Sequence, residues 1–143
     1  MLHELYVLSD ALDRLVFEEF GINSTQYRLL TILDDQKGKT MTTLSEQLIL
    51  SKSSITRIVD QLEQLGWVMR VDDPEDRRVL DIVLTAKGLA QRAMIISAHE
   101  SSLRDRMQSL DKSEQKQFEN LLERLRNDMR SEVEGESARQ AVA

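Results

Sequence analysis

Cysteine is absent from this chain of 143 residues, proline occurs once, as Pro74, and glycine only five times. The first absence excludes disulfides, thiol redox sensing and cysteine-bound zinc. The scarcity of the two structure breakers predicts a mostly helical molecule. Histidine is nearly as rare. His3 and His99 stand far apart in the sequence, so a histidine metal site would need a distant carboxylate or a second chain. No metal site is expected, and both histidines read as ordinary surface or interface residues. No apolar run reaches the ~18 residues of a membrane span. The opening MLHELYVLSDALDRL threads acids through its leucines. It lacks the basic start and unbroken apolar core of a signal peptide, so the expected compartment is the cytoplasm.

Catalytic patterns are missing as well. There is no Gly-rich phosphate loop. The hydroxyl-rich stretch from Ser51 to Thr56 has no nearby histidine or paired carboxylate with which to build a triad. Neither enzymatic activity nor a cofactor is expected. Positive charge is also short: 19 Lys and Arg against 25 Asp and Glu leave −6 per chain, or 2 × −6 = −12 for a dimer. This counts against non-specific nucleic-acid binding, which wants a basic surface. Specific binding stays open, because a Debye length of about 8 Å at physiological salt screens distant acids.

What is present is periodic. The length fits one domain, residues 1–143. Leu5, Leu8, Leu12 and Leu15 make an apolar stripe on a first helix that stops near Gly21. Asn23 or Ser24 caps a second helix, with Gln26 completing a capping box on Asn23, and Tyr27, Leu30 and Leu33 inward. It ends before a polar run from Asp34 to Lys39. Thr43 and Glu46 have capping-box spacing and predict a short helix burying Leu44 and Leu48. After a turn at Leu50, Ser51 caps a helix reaching Gly66, with Ile55, Ile58, Val59, Leu62 and Leu65 on its inner face. The period then changes. Trp67–Val71 and Val79–Leu84 predict an antiparallel hairpin with a charged tip at 72–78 that accommodates Pro74. Thr85 caps a long helix to about Met107. Asp111 and Glu114 open a last helix carrying Phe118, Leu121, Leu122, Leu125 and Met129. From Ser131 the apolar pattern lapses, and 132–143 is expected to be a flexible tail.

Two helices joined by a tight turn and followed by a hairpin make a winged helix-turn-helix, so the fold class is mainly α (α+β). On the helix from residue 51, at about 100° per residue, the face opposite the core is centred on Ser53, Arg57, Asp60 and Gln64, with Thr56 beside it. Its N-terminal half is small, polar and cationic. Short side chains let a backbone enter the major groove, and an arginine reaches guanine O6 and N7. The backbone N–H groups of Lys52, Ser53 and Ser54 suit a phosphate. The plainer reading is an ordinary solvent-facing surface. Arg77 and Arg78 end the hairpin tip, placed to approach a minor groove, unless the tip is merely tied by Asp–Arg pairs. Acids such as Asp76 could hold one arginine while the other reaches DNA. From Ser51 to Leu80 five cations (Lys52, Arg57, Arg70, Arg77, Arg78) face six acids, so this is no basic patch.

These residues resemble a known family. LSKSSITRIVDQLEQLGWV is similar to the recognition helix and wing entry of MarR-type regulators. DDPEDRRVLDIVLTAKG resembles their wing, an Asp-Pro-x-Asp-Arg-Arg tip before a strand and Leu-Thr-x-x-Gly. INSTQYRLLTIL extends the likeness backwards. Two departures are Ser45 where alanine is usual and the apolar approach Leu48-Ile49-Leu50. The resemblance implies a winged helix-turn-helix over 24–88, with Ser53, Thr56 and Arg57 in the major groove and Arg77 or Arg78 at the minor groove or backbone. It implies a homodimer built from helices 1–20 and 108–131 through Leu5, Leu8, Leu12, Leu15, Phe118, Leu121, Leu122 and Leu125. It also implies a small aromatic anion as effector, in a pocket to which Tyr6, Tyr27 and Trp67 would contribute. The expected function is a sequence-specific transcriptional regulator, a repressor, on a pseudo-palindromic operator in double-stranded DNA. The alternative is a winged-helix module that binds a protein partner.

Overall fold

The computed structural model describes residues 1–142 apart from Gln36, Glu75 and Arg77, with side chains as far as Glu136. In chain order the elements are α1 (Leu2–Glu18), α2 (Ser24–Ile32), β1 (Lys39–Thr40), α3 (Met41–Leu48), α4 (Lys52–Gln64), β2 (Val68–Asp72), β3 (Leu80–Leu84), α5 (Ala86–Arg106) and α6 (Lys112–Val142). Residues 1–102 and residues from 103 onward form two compact units. Among the described residues no helix is long and apolar enough to cross a membrane, and no group of three or more acidic or histidine side chains is placed to hold a metal ion.

Local caps set most boundaries. Asn23 accepts from the backbone N–H groups of Thr25 and Gln26, and Gln26 Oε1 accepts from Asn23 N at 2.8 Å, so the capping box opening α2 is complete. Asp111 and Glu114 form the same reciprocal pair ahead of α6. The third expected box does not form. The cap of α3 is Thr40, whose Oγ1 accepts from Thr43 N at 3.1 Å. The reason is non-local: Lys39 and Thr40 pair antiparallel with Ile82 and Asp81, so the chain enters α3 directly from a sheet edge read in the sequence as loop. Helix α6 also departs from expectation. It continues to Val142, through the segment expected to be a flexible tail. Loss of an apolar stripe removes a packing face, but the Glu, Arg and Ala of that segment remain good helix formers.

The sheet has strand order β1-β3-β2, and the wing hairpin pairs Val68 with Leu84 through to Asp72 with Leu80. The core of the first unit gathers Phe17 of α1, Leu29, Leu30 and Leu33 at α2, Leu44 and Leu48 of α3, the inner face of α4, Trp67, Val68, Ile82 and Ile95. Leu65 was expected on the inner face of α4 but lies at its C-cap, where the helical projection ends, and is 36% exposed. Gly66, at φ +72°, closes α4. Its N–H reaches Glu63 O while Trp67 N reaches Leu62 O, a Schellman turn flanked by two buried side chains. The same bonding ends α3, but there the left-handed residue is Ile49.

Neither the sequence position nor the rarity of His99 announced its role. It is largely buried rather than an ordinary surface residue. Its Nε2 donates to Asp13 Oδ1 of α1 at 3.1 Å, and its Nδ1 lies 3.1 Å from the Tyr27 hydroxyl of α2. Tyr27 stacks on Phe17 with ring centroids 4.4 Å apart. Three helices are tied at one point. Burial, then the carboxylates of Glu100 and Asp13, raises the pKa of the Tyr27 phenol.

Candidate nucleic-acid interface

Ser51 organises the start of α4. Its extended backbone ends the turn, and its Oγ accepts from Ser54 N at 3.2 Å. The hydroxyls of Ser53 and Ser54 lie 3.0 and 2.9 Å from the same oxygen. Because Ile55, Ile58, Val59 and Leu62 are all buried, the opposite face is forced outward. Lys52, Ser53, Thr56 and Arg57 are exposed there, with Ser54 half-buried at the edge. Thr56 Oγ1 donates to Lys52 O at 2.9 Å, so its proton is used within the helix. Among the described residues no ion pair engages Arg57. Ser45 has a use as well: its hydroxyl donates to Leu50 O at 2.6 Å and pins the turn between α3 and α4.

The C-terminal half of this face carries acids that would repel a phosphate backbone. Arg70, reaching back from β2, neutralises them. Its Nη2 lies 2.6 Å from Asp60 Oδ1, and its Nη1 pairs with Glu63. The hydrogen bond to Asp60 leads the interactions that raise the Arg70 pKa, against the opposing effect of burial. Arg70 is therefore not one of the cations free to meet a partner. The signal was readable only as a pair of acids one turn apart followed by an arginine on the next strand.

At the wing tip, Asp73 Oδ1 accepts from Asp76 N, and Asp76 Oδ1 accepts from Arg78 N, both at 3.0 Å. Asp76 thus holds the backbone of Arg78 rather than its guanidinium, and Arg78 itself is exposed. Arg77, the other expected wing contact, lies outside the described residues.

The wing is rooted on α4 by the start of α5. Thr85 Oγ1 donates to Gly66 O at 2.7 Å and accepts from Gly88 N at 3.0 Å, so it satisfies one helix end and caps the next. Lys87 Nζ donates to Leu65 O at 2.8 Å. A Cβ at position 88 would overlap the Trp67 carbonyl, so only glycine lets α5 start this close. The Leu-Thr-x-x-Gly pattern is thus a joint between α4 and the wing.

The three aromatic residues expected in a ligand pocket sit in different surroundings. Tyr6 is exposed on α1, Tyr27 is bonded to His99, and Trp67 is buried in the core. Among the described residues none of these rings touches another. The leucines expected to make a dimer are open to solvent: Leu5, Leu8, Leu12 and Leu15 on α1, and Leu121, Leu122 and Leu125 on α6, with Phe118 half-buried.

The family sequence model described as MarR family matches residues 22–80. The HTH-type transcriptional regulator PapX of Escherichia coli is 32% identical over 111 residues, 76% of this chain and 68% of PapX. The chain belongs to the MarR family. Members of the MarR family are transcriptional regulators, not enzymes. The transcriptional repressor MprA of Escherichia coli (strain K12) is 32% identical over 107 residues, covering 73% of this chain and 61% of MprA. The chain thus spans about two thirds of the length of these relatives. Its winged helix matches the structure of a MarR family protein from Bacillus stearothermophilus with a TM-score of 0.78, at 26% identity, over 90% of this chain and 89% of that one.

Proposed function

We propose that this MarR-family chain is a cytoplasmic repressor that binds a pseudo-palindromic operator as a homodimer, through Ser53, Thr56 and Arg57 of α4 in the major groove. Lys52 and Ser54 hold the adjoining phosphate, and Arg78, with Arg77, approaches the minor groove. One observation carries the reading: α4 presents an exposed, hydroxyl-rich face with an arginine that no ion pair engages among the described residues, while the acids behind it are neutralised by Arg70. An arginine so placed reads guanine with a bidentate pair. The open leucines of α1 and α6 support the dimer, and a two-fold pair of α4 helices demands half-sites about one DNA turn apart. Repression is inferred from the likeness to MprA, a transcriptional repressor. The expected effector, a small aromatic anion, would act beside Tyr27, where α1, α2 and α5 are tied, and would change the separation of the two α4 helices.

Selection from a random duplex pool at physiological salt tests this. Enrichment of an inverted repeat with half-site centres about 10 bp apart supports it. The net charge of −6 favours a second reading, a protein-binding module. Salt separates the two: phosphate contacts make affinity fall steeply between 50 and 200 mM salt, roughly 10³–10⁵-fold for 6–10 contacts, whereas a mixed protein interface responds weakly.

A further inference from the structure

Between the N-terminus of α2 and the outer side of α4 lies a groove of about 280 Å³. Its polar wall is Asn23, Thr25, Ser54, Arg57 and Gln61, over a floor that includes Ile58. The chain has 25 acids, and among the described residues no carboxylate lines this groove.

The polarity of the two amides in this wall is fixed by hydrogen-bond logic. Asn23 N is a donor, so the Gln26 atom it meets at 2.8 Å is the carbonyl oxygen. The other end of the Gln26 amide is therefore the NH₂. It lies 3.1 Å from Gln61, so the Gln61 atom facing it must be the oxygen. The Gln61 NH₂ is then the free end. Asn23 obeys the same rule: its oxygen accepts from Thr25 N and Gln26 N, leaving its NH₂ free. Gln26 is buried, at 6% exposure, and holds this arrangement from behind. The wall therefore offers two amide NH₂ groups, the Thr25 hydroxyl and a guanidinium, which is a surface for an anion.

We infer that this groove seats one phosphate of the DNA backbone in each half-site, with Gln61 and Asn23 as its donors and Gln26 as the positioning residue that sets their polarity. Arg57 lines the same groove, so the seated phosphate would fix the depth at which Arg57 meets the bases. The inference rests on the DNA-binding reading above and adds a contact outside the recognition face itself.

The test uses the intact protein, an operator recovered by duplex selection, and operators carrying a single neutral methylphosphonate at each position in turn. Gln61→Leu should weaken binding about tenfold for every sequence and leave the base preference unchanged. Because the Gln61 amide is neutral and releases no counterion, the slope of log affinity against log salt should stay as in the wild type. One methylphosphonate per half-site should weaken the wild type but not Gln61→Leu. Gln61→Lys, which restores a donor and adds a charge, should recover the affinity and steepen the slope beyond the wild type by about 0.9 per half-site. Thermal unfolding of both variants controls for folding. No methylphosphonate coupled to Gln61, or a Gln61→Lys variant with an unchanged slope, overturns the inference while leaving the DNA-binding reading intact. So does a change in base preference at one position, which would mean that Gln61 reads a base edge. If the wild type selects no duplex, both readings fall. Saturable binding of inorganic phosphate alone, lost in Gln61→Leu, would reassign the groove to a free anion.

Discussion

Ile49 holds φ +56° and ψ +51°, a left-handed conformation that costs a side chain with a branched Cβ about 1–2 kcal/mol. It is also 70% exposed, so no burial offsets the strain. Ile49→Gly should therefore raise stability by about 1 kcal/mol, a little of the relief being lost to the greater freedom of glycine in the unfolded chain. Urea unfolding would show it, and an unchanged midpoint would mean the turn is relaxed around the isoleucine. Arg57 makes the opposite kind of prediction. Its loss should leave stability alone, because it faces solvent. Arg57→Ala should instead cost about 1–3 kcal/mol in operator binding and relax preference at one base pair. Binding isotherms on matched and mismatched operators measure this, and wild-type affinity would remove Arg57 from the contact surface. The outward direction of Arg57 was legible from the spacing of four buried apolar residues. The groove beside it was not, because two of its five polar wall residues, Asn23 and Thr25, come from the start of α2, and the bond between Gln26 and Gln61 behind it is marked by no local pattern.

Between elements, two joints carry testable weight. Arg70 links β2 to α4. Arg70→Ala would bare Asp60 and Glu63 beside a phosphate backbone, so affinity should fall for all duplexes alike. Partly exposed pairs of this kind are worth about 0.2–1 kcal/mol to folding, so unfolding should shift little. A large loss of stability with normal DNA binding would reverse the assignment. The second joint is Gly88 against the Trp67 carbonyl. Gly88→Ala forces backbone apart at the root of the wing and should cost about 1–3 kcal/mol or more, read by thermal unfolding. Helix boundaries were legible wherever the cap is local, as at Asn23, Ser51, Thr85 and Asp111. The start of α3 was misplaced because Thr40 is set by pairing with a strand 40 residues later, a fact about the sheet and not the neighbourhood. The C-terminal helix was cut short because a fading apolar stripe reports packing, not helicity.

For the molecule as a whole, the exposed leucines are the largest unspent feature. Leu8 and Leu12 are 57% and 42% exposed on α1, whose other side packs through Phe17 into the core. Leu8→Glu together with Leu12→Glu should give a folded monomer with little operator affinity, measured by light scattering and titration. A DNA-binding dimer with these changes would refute the proposed interface. The helix-turn-helix and wing could be read from the sequence almost complete, because each is built from neighbours in the chain. How two chains meet could only be anticipated, from stripes with nothing beneath them.

The neutralisation of the acids on α4 from within has a consequence for how such a protein would find its site. A regulator with a broadly basic surface is held by the polyanions that fill a cell, RNA included, and by the roughly 10⁶–10⁹ competing sites of a genome. This chain keeps a net charge of −6, and Arg70 is held by its own carboxylates instead of being turned to a partner. Wrong encounters would be brief, and a small number of copies would suffice to keep one correct address occupied.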